Sequence, residues 1–286
     1  MILITGATGQ LGSAVIQHLL TKIPASQIAA FVRDAGKAAG LQEKGVSIRV
    51  GTYDDTAALD NAMQGIEKVL LISGGDADNA LQQHQNVVDA AKKAGVKCIA
   101  YTGRSLKDPG TLVNKLMNRH FQTEDYIKES GLNYALFRNI LYMDVLPLFV
   151  GKQVFDTGIH LPAGDGKVSF ALRGEMGEAI AKVLLDSDCD NQTYNFTGSE
   201  TYSFEDVANA LSELSGKEVK YSAVTPAEFE AQMKGRGIPD FMVPRMIGFI
   251  TDIKNGQETT LSPDLENKLG RKPVSLKEGL KTLFHL

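Results

Sequence analysis

The chain opens MILITGATGQLG, residues 1–12, and the reading of this stretch decides the fold. A short apolar run leads straight into three glycines, Gly6, Gly9 and Gly12. Then comes QLGSAVIQHLLTKI, where Leu11, Val15, Leu19 and Leu20 recur at helical spacing. Glycines between a strand and a helix let the backbone turn sharply and approach a ligand with no Cβ in the way. The amides and positive dipole end of the helix that follows attract an anion. An ordinary tight turn is the competing reading, and the next hundred residues separate the two.

Those residues alternate. QIAAFVR, VSIRVG, KVLLIS, KCIAYTG and NYALFRN are near-continuous apolar runs, and helical patterns such as TAALDNAMQG, ALQQHQNVVDAAKKAG and LMNRHFQTEDYIKESG lie between them. Strands apolar throughout, alternating with helices, indicate an α/β protein with a parallel sheet covered on both faces. Right-handed crossovers make it doubly wound, the Rossmann arrangement. The pattern loosens after residue 139. TYSFEDVANALSELSG reads as a helix capped by Ser203 and ended by Gly216. The expected division is a dinucleotide-binding domain over 1–139 plus about 166–199. A smaller mixed C-terminal lobe covers 140–165 plus about 200–286 and packs over the carboxyl edge of the sheet.

In this context the glycine turn is a dinucleotide fingerprint. The second strand should end in a carboxylate if the ribose 2′-hydroxyl is to be held, as in NAD binding. It ends AFVRD instead, and the Arg33 guanidinium suits a 2′-phosphate. NADPH is the expected cofactor, NADP being preferred over NAD. Lys37 reads as a surface lysine.

Composition narrows the alternatives. The 286 residues carry a net charge of −4 with the two signs interspersed, so a nucleic acid is not the expected partner. No apolar run is long enough for a membrane helix, and no secretory signal is visible. The two cysteines, Cys98 and Cys189, lie far apart with no CxxC spacing. No disulfide is expected, and a cytoplasmic location fits. The five histidines form no HExxH motif, and no metal site is expected. No GxSxG elbow and no Lys-Ser/Thr ending to the glycine loop appear, which disfavours a serine hydrolase and a nucleoside triphosphatase. An apolar helix face serves a core or a homodimer equally well.

TGATGQLG, the VRD strand end, AYTG, SGLNYALFRNILYMD, PAGDGKVSFALRGE and LSELSGKEVKY together resemble the NmrA-like, atypical short-chain dehydrogenase/reductase family. The likeness is strongest to its two-lobed bacterial members that reduce quinones and triphenylmethane dyes. It covers essentially the whole chain. It implies that Thr8, Gly9, Gln10 and Leu11 contact the pyrophosphate and that Arg33 binds the adenosine phosphate. It further implies that Ile72, Ser73 and Gly74 line the ribose and that Thr102 and Gly103 lie beside the nicotinamide. Asn139 and Tyr142 would face the cleft. Thr52 departs from the acidic residue often found in relatives, which leaves Tyr53 to stack on the adenine. Arg173 and Glu175 look like the family's structural pair, and Arg138 is expected to pair with a carboxylate.

Conventional members of the wider superfamily use a tyrosine and a lysine spaced YxxxK on one helix to protonate a carbonyl oxygen. None of the eight tyrosines here has lysine four residues on. Leu116 and His120 stand at the corresponding places. Quinones and cationic dyes accept hydride readily, and water can supply the proton. The expected activity is therefore NADPH-dependent hydride transfer to a quinone-like or dye-like small molecule, governed by positioning. His120 is the candidate hydrogen-bond donor, and Phe149, Phe155, Met143, Phe241 and Met242 are candidate pocket walls. Two other readings stand beside it: an NmrA-type redox sensor that binds the dinucleotide without turnover, and a sugar-nucleotide epimerase, which the missing YxxxK disfavours.

Overall fold

The computed structural model describes residues 1–74, 79–151, 153–186 and 189–286. In chain order the first half contains β1 (Ile2–Thr5), α1 (Gln10–Leu20), β2 (Ile28–Val32), α2 (Ala39–Glu43), β3 (Ser47–Val50), α3 (Thr56–Ala62) and β4 (Lys68–Ile72). It continues with α4 (Ala80–Lys93), β5 (Cys98–Arg104), α5 (Asn118–Glu129) and β6 (Asn133–Asn139). There follow α6 (Leu146–Val150), α7 (Val154–Thr157), β7 (Ile159–Leu161), β8 (Lys167–Val168), α8 (Arg173–Asp186) and β9 (Gln192–Phe196). The chain ends with β10 (Tyr202–Ser203), α9 (Phe204–Ser215), β11 (Tyr221–Ala223), α10 (Pro226–Gly235), α11 (Val243–Lys254), α12 (Asp264–Leu269) and α13 (Leu276–Phe284).

Seven strands form one parallel sheet in the order β3-β2-β1-β4-β5-β6-β9. The order reverses at β1, between β2 and β4, where open α/β sheets bind ligands. Every residue of β1 and β2 is buried, as strands covered on both faces require. Ile4, Leu70, Ala100 and Phe137 point into one core, under α1 and α8. Leu3, Leu71, Ile99, Tyr101 and Leu136 point into the other, under α3, α4 and α5. Alternation along each strand sends neighbouring residues to opposite cores.

Helices α1 and α8 pack unusually closely. A Cβ on Gly177 would lie 2.6 Å from the Cβ of Ala14, so only glycine permits this crossing. Helix α9 carries the expected cap: Ser203 and Asp206 form a capping box, and Gly216 closes the helix in the left-handed conformation. Two small sheets, β7 with β11 and β8 with β10, belong to the later half of the chain. Among the described residues no helix is long and apolar enough to cross a membrane.

The cysteine reading is corrected. Cys98 and Cys189 are paired as a disulfide, with Cα atoms 5.6 Å apart, despite their separation of 91 residues. Cys98 opens β5, Cys189 precedes β9, and β6 lies between those strands. Distance along the sequence said nothing about neighbours across a parallel sheet.

Candidate functional site

The site is built along the carboxyl edge of the sheet. Gly6 follows β1 with φ +58°, a conformation that costs other residues free energy. The Gly9 amide donates to the Gly6 carbonyl at 2.9 Å, which closes the turn. Gly9 caps α1 without a side chain, so no side chain competes for the helix's first amides. A Cβ on Gly12 would lie 2.4 Å from the Gly6 oxygen and 2.9 Å from Ala7 Cα, both backbone atoms. Thr8, Gly9 and Gln10 are exposed, whereas Leu11 and Gly12 are buried beneath them. Such a cradle, open above and impassable below, fits a dinucleotide diphosphate.

Arg33 leaves the end of β2 exposed beside the turn. Asp34 bends away, its carboxylate accepting from the Gly36 amide at 2.9 Å. Lys37 is exposed as well. The Tyr53 hydroxyl sits 2.5 Å from Thr5 Oγ1 and 2.9 Å from the Ile72 carbonyl oxygen. The Ile72 amide donates to Thr5 Oγ1 at 2.9 Å. Tyr53 therefore ties β1 to β4, and its ring stacks on Phe31. Burial raises its pKa, so the hydroxyl stays protonated.

The turn after β4 is held by two side chains. The Ser73 amide donates to Thr102 Oγ1 at 3.0 Å, and the Gly74 amide donates to His84 Nε2 at 3.1 Å. With Nε2 accepting, His84 carries its proton on Nδ1, 2.9 Å from Thr123 Oγ1. The Thr123 hydroxyl passes the chain on to the Arg119 carbonyl at 2.8 Å. Burial, then the Arg119 cation, pull the His84 pKa down to about 4, which keeps the ring neutral. Neither Thr5 nor His84 was singled out from the sequence. A buried histidine on an amphipathic helix carries no signal of which amide it will hold.

Next along the edge, His120 is buried on α5, with Nδ1 2.9 Å from the Tyr101 hydroxyl. Burial and the nearby Arg104, Arg119 and His84 hold its pKa well below the ordinary value. Tyr101 is fully buried, so it anchors His120 from below. Arg138 forms a two-pronged pair with Glu124, with Nε at 2.9 Å from Oε1 and Nη2 at 2.6 Å from Oε2. Its expected carboxylate partner is thereby identified. A Cβ on Gly103 would sit 3.2 Å from Glu124 Oε1 and 3.3 Å from the Tyr101 ring.

Asn139 ends β6, fully buried, and its Nδ2 donates to the Tyr142 oxygen at 3.2 Å. Arg173 does not pair with Glu175, which corrects the expectation from sequence. Glu175 is bound by Arg271 and accepts from the Val274 amide. Arg173 extends the other way, donating to Gln10 Oε1 and lying 4.4 Å over the Tyr142 ring. The helix turns these two side chains to different sides.

The segment after β5 is strapped to the C-terminal part of the chain. The Asp252 carboxylate accepts from the Val113 and Asn114 amides at 2.7 and 2.9 Å. Gln257 holds Asp108 and Thr111. Glu258, 1% exposed, is ion-paired with Arg104 and accepts from the Leu141 amide. Burial pushes the Glu258 pKa up, against the pull of the Arg104 cation. A cavity of about 370 Å³ lies between this strapped segment and α11, lined by Val113, Asn114, Lys115, Leu116, Pro244 and neighbours. Of the expected wall residues, Met143 is fully buried against Gly279, and Phe241 and Met242 are exposed. Phe149 packs on Phe204 and Phe249, and Phe155 on Phe284. None of these five lines the cavity. Among the described residues no cluster of three metal-ligating side chains exists.

Glycine cradle, strand order and the run of functional side chains along one edge define a Rossmann-type dinucleotide-binding protein. The chain belongs to the NmrA-like family, whose model matches residues 1–283. It is 37% identical to quinone oxidoreductase 2 of Escherichia coli over 287 residues, covering 100% of this chain and 99% of that protein. The crystal structure of Citrobacter sp. triphenylmethane reductase complexed with NADP(H) superposes with a TM-score of 0.92 at 37% identity. That match covers 99% of this chain and 100% of the other. An NAD(P)H azoreductase of Xenophilus azovorans is 30% identical over 250 residues, 86% of this chain and 85% of that protein.

Proposed function

We propose that this chain is an NADPH-dependent reductase that delivers hydride to a quinone or a conjugated dye. The observation that carries the reading is the pairing of an intact glycine cradle with Leu116 and His120 where a catalytic tyrosine and lysine would stand. Bound NADPH supplies the hydride. The chain's own residues bind, orient and exclude water. The amides after Gly9 receive the diphosphate, with Thr8, Gln10 and Leu11 around it, and Arg33 takes the 2′-phosphate. Tyr53 lies beneath the adenosine half. Ile72, Ser73 and Gly74 form the rim beside the ribose, set by Thr102 and His84. Thr102, Gly103, Asn139 and Tyr142 form the wall at the nicotinamide end.

The cavity between residues 113–116 and α11 receives the acceptor. His120 is held neutral and offers a hydrogen bond to an acceptor or ribose oxygen; it is not needed as a strong acid, because the reduced acceptor takes its proton from water. Residues 140–165 and about 200–286 act as the smaller substrate-binding lobe over the Rossmann domain. The protein acts on a small-molecule acceptor. The test is loss of dihydronicotinamide absorbance with a panel of small quinones and triphenylmethane dyes. Turnover with some of them is expected. Tight NADPH binding without turnover of any acceptor would overturn the reading in favour of a redox sensor.

A further inference from the structure

Tyr101 is fully buried on β5, and its hydroxyl lies 2.9 Å from His120 Nδ1. A buried O–H needs an acceptor. The neighbouring Thr123 oxygen is already engaged, since it accepts from His84 Nδ1 and donates to the Arg119 carbonyl. If His120 carried its proton on Nδ1, the Tyr101 proton would be left without a partner. Nδ1 therefore accepts from Tyr101, and the imidazole, kept neutral by burial, carries its proton on Nε2. Among the described residues Nε2 has no partner, yet it is not sealed off as Ser105 Oγ and Asn139 Oδ1 are. It is thus an N–H donor at an opening, on a side chain only 5% exposed. The opening lies on the cavity side. Residues 115–117 run as a helical turn straight into α5, so Leu116, which lines the cavity, shares a face with His120 four residues on.

We propose that Tyr101 is a positioning residue: by donating to Nδ1 it aims the His120 Nε2–H at the acceptor, and His120 is the oxyanion donor for quinones. The proposal deepens the reductase reading and rests on it. A quinone that takes hydride from the dihydronicotinamide gains two electrons and one hydrogen, and the oxidised nicotinamide remains. Negative charge collects on a quinone oxygen, where a fixed N–H stabilises it. His120 keeps its proton, and water protonates the hydroquinone anion. A cationic triphenylmethane dye behaves differently. It takes hydride on its central carbon and becomes neutral, and no oxygen gains charge. Tyr101 and His120 therefore matter more to quinones than to such dyes, although both acceptors use the same cofactor and the same cavity.

The test is steady-state kinetics of the full chain with NADPH and two acceptors, a small quinone and a triphenylmethane dye without hydroxyl groups. Wild type is compared with His120→Leu, His120→Gln and Tyr101→Phe. H120L should lower the quinone-to-dye ratio of kcat by about 10–100-fold, the worth of one hydrogen bond to a charged oxygen, with quinone kcat rather than KM carrying the loss. H120Q, which keeps an N–H donor at similar reach, should recover part of the ratio. Y101F should lower it by a smaller factor than H120L, and it keeps the comparison alive if H120L folds poorly. An unchanged ratio, from equal loss with both acceptors or from no loss, overturns the proposal. So does a wild type that reduces the dye and no quinone. Nitrogen-15 NMR of the histidine-labelled wild type reads the tautomer independently of turnover: a proton on His120 Nε2 is expected, and one on Nδ1 overturns the proposal. A wild type that reduces neither acceptor overturns the reductase reading itself, and this proposal with it.

Discussion

Replacing Gly12 by alanine probes the cradle with a single carbon. The new Cβ would stand 2.4 Å from the Gly6 oxygen, 2.9 Å from Ala7 Cα and 2.9 Å from the Gly6 carbonyl carbon. All three are backbone atoms, so no rotamer change relieves the contact. The turn must open by about 1 Å to restore ordinary van der Waals spacing. Overpacking of this kind costs about 1–3 kcal/mol. Alanine's advantage over glycine inside a helix returns about 1 kcal/mol. The net loss of stability is therefore small, roughly 0–2 kcal/mol. Binding suffers more, because the displaced turn carries the amides of Gly9, Gln10 and Leu11. Losing one charge-assisted hydrogen bond, about 1.5–3 kcal/mol, weakens NADPH by about 10–100-fold. Calorimetric titration with NADPH and thermal unfolding read the two effects separately. Gly40→Ala is the control: nothing lies within 4 Å of its added Cβ, so it should slightly stabilise and leave binding alone. A G12A protein that binds NADPH as tightly as wild type would refute the assignment of this turn to the diphosphate.

Three further outcomes are expected. Arg33→Asp should weaken NADPH by about tenfold or more while leaving NADH binding intact or improved, as calorimetry with both cofactors reads. Removing the Glu258 carboxylate by Glu258→Ala leaves Arg104 largely buried and unpaired, and should cost about 3–5 kcal/mol in urea unfolding. Acid should destabilise the fold through His84, whose folded pKa of about 4 lies below the unfolded value of 6.5. Its contribution is complete above the unfolded pKa and is lost as pH falls toward the folded one, at up to about 1.4 kcal/mol per pH unit. His120 acts in the same direction, and His84→Ala should flatten the profile of urea midpoints against pH.

Much of this architecture was legible because apolar runs and helical spacing follow from local rules. β1, the glycine turn and α1 can be read from twelve residues and their context, and the Ser203 cap from one hydroxyl followed by acids. Three contacts were not legible, each for a topological reason. Arg104 meets Glu258 across 154 residues, and nothing near either one names the other. Cys98 and Cys189 became neighbours through strand order. The family resemblance implies an Arg173–Glu175 pair, yet residues two apart on a helix point to different sides, and Arg173 reaches Gln10 and Tyr142 instead. The cavity wall was misread for a related cause. Large apolar residues in an irregular segment read as pocket lining, whereas Met143 fills the core and Phe241 faces solvent.

Direct hydride transfer from NADPH to the acceptor, with no protonating tyrosine, leaves an isotopic signature. A triphenylmethane dye tests it well, because its reduced form keeps the transferred hydrogen on carbon. The enzyme would be run with NADPH deuterated at both C4 positions in ordinary water, and the leuco product weighed by mass spectrometry. The account predicts one deuterium on the central carbon. A leuco product carrying solvent hydrogen at that carbon would contradict it.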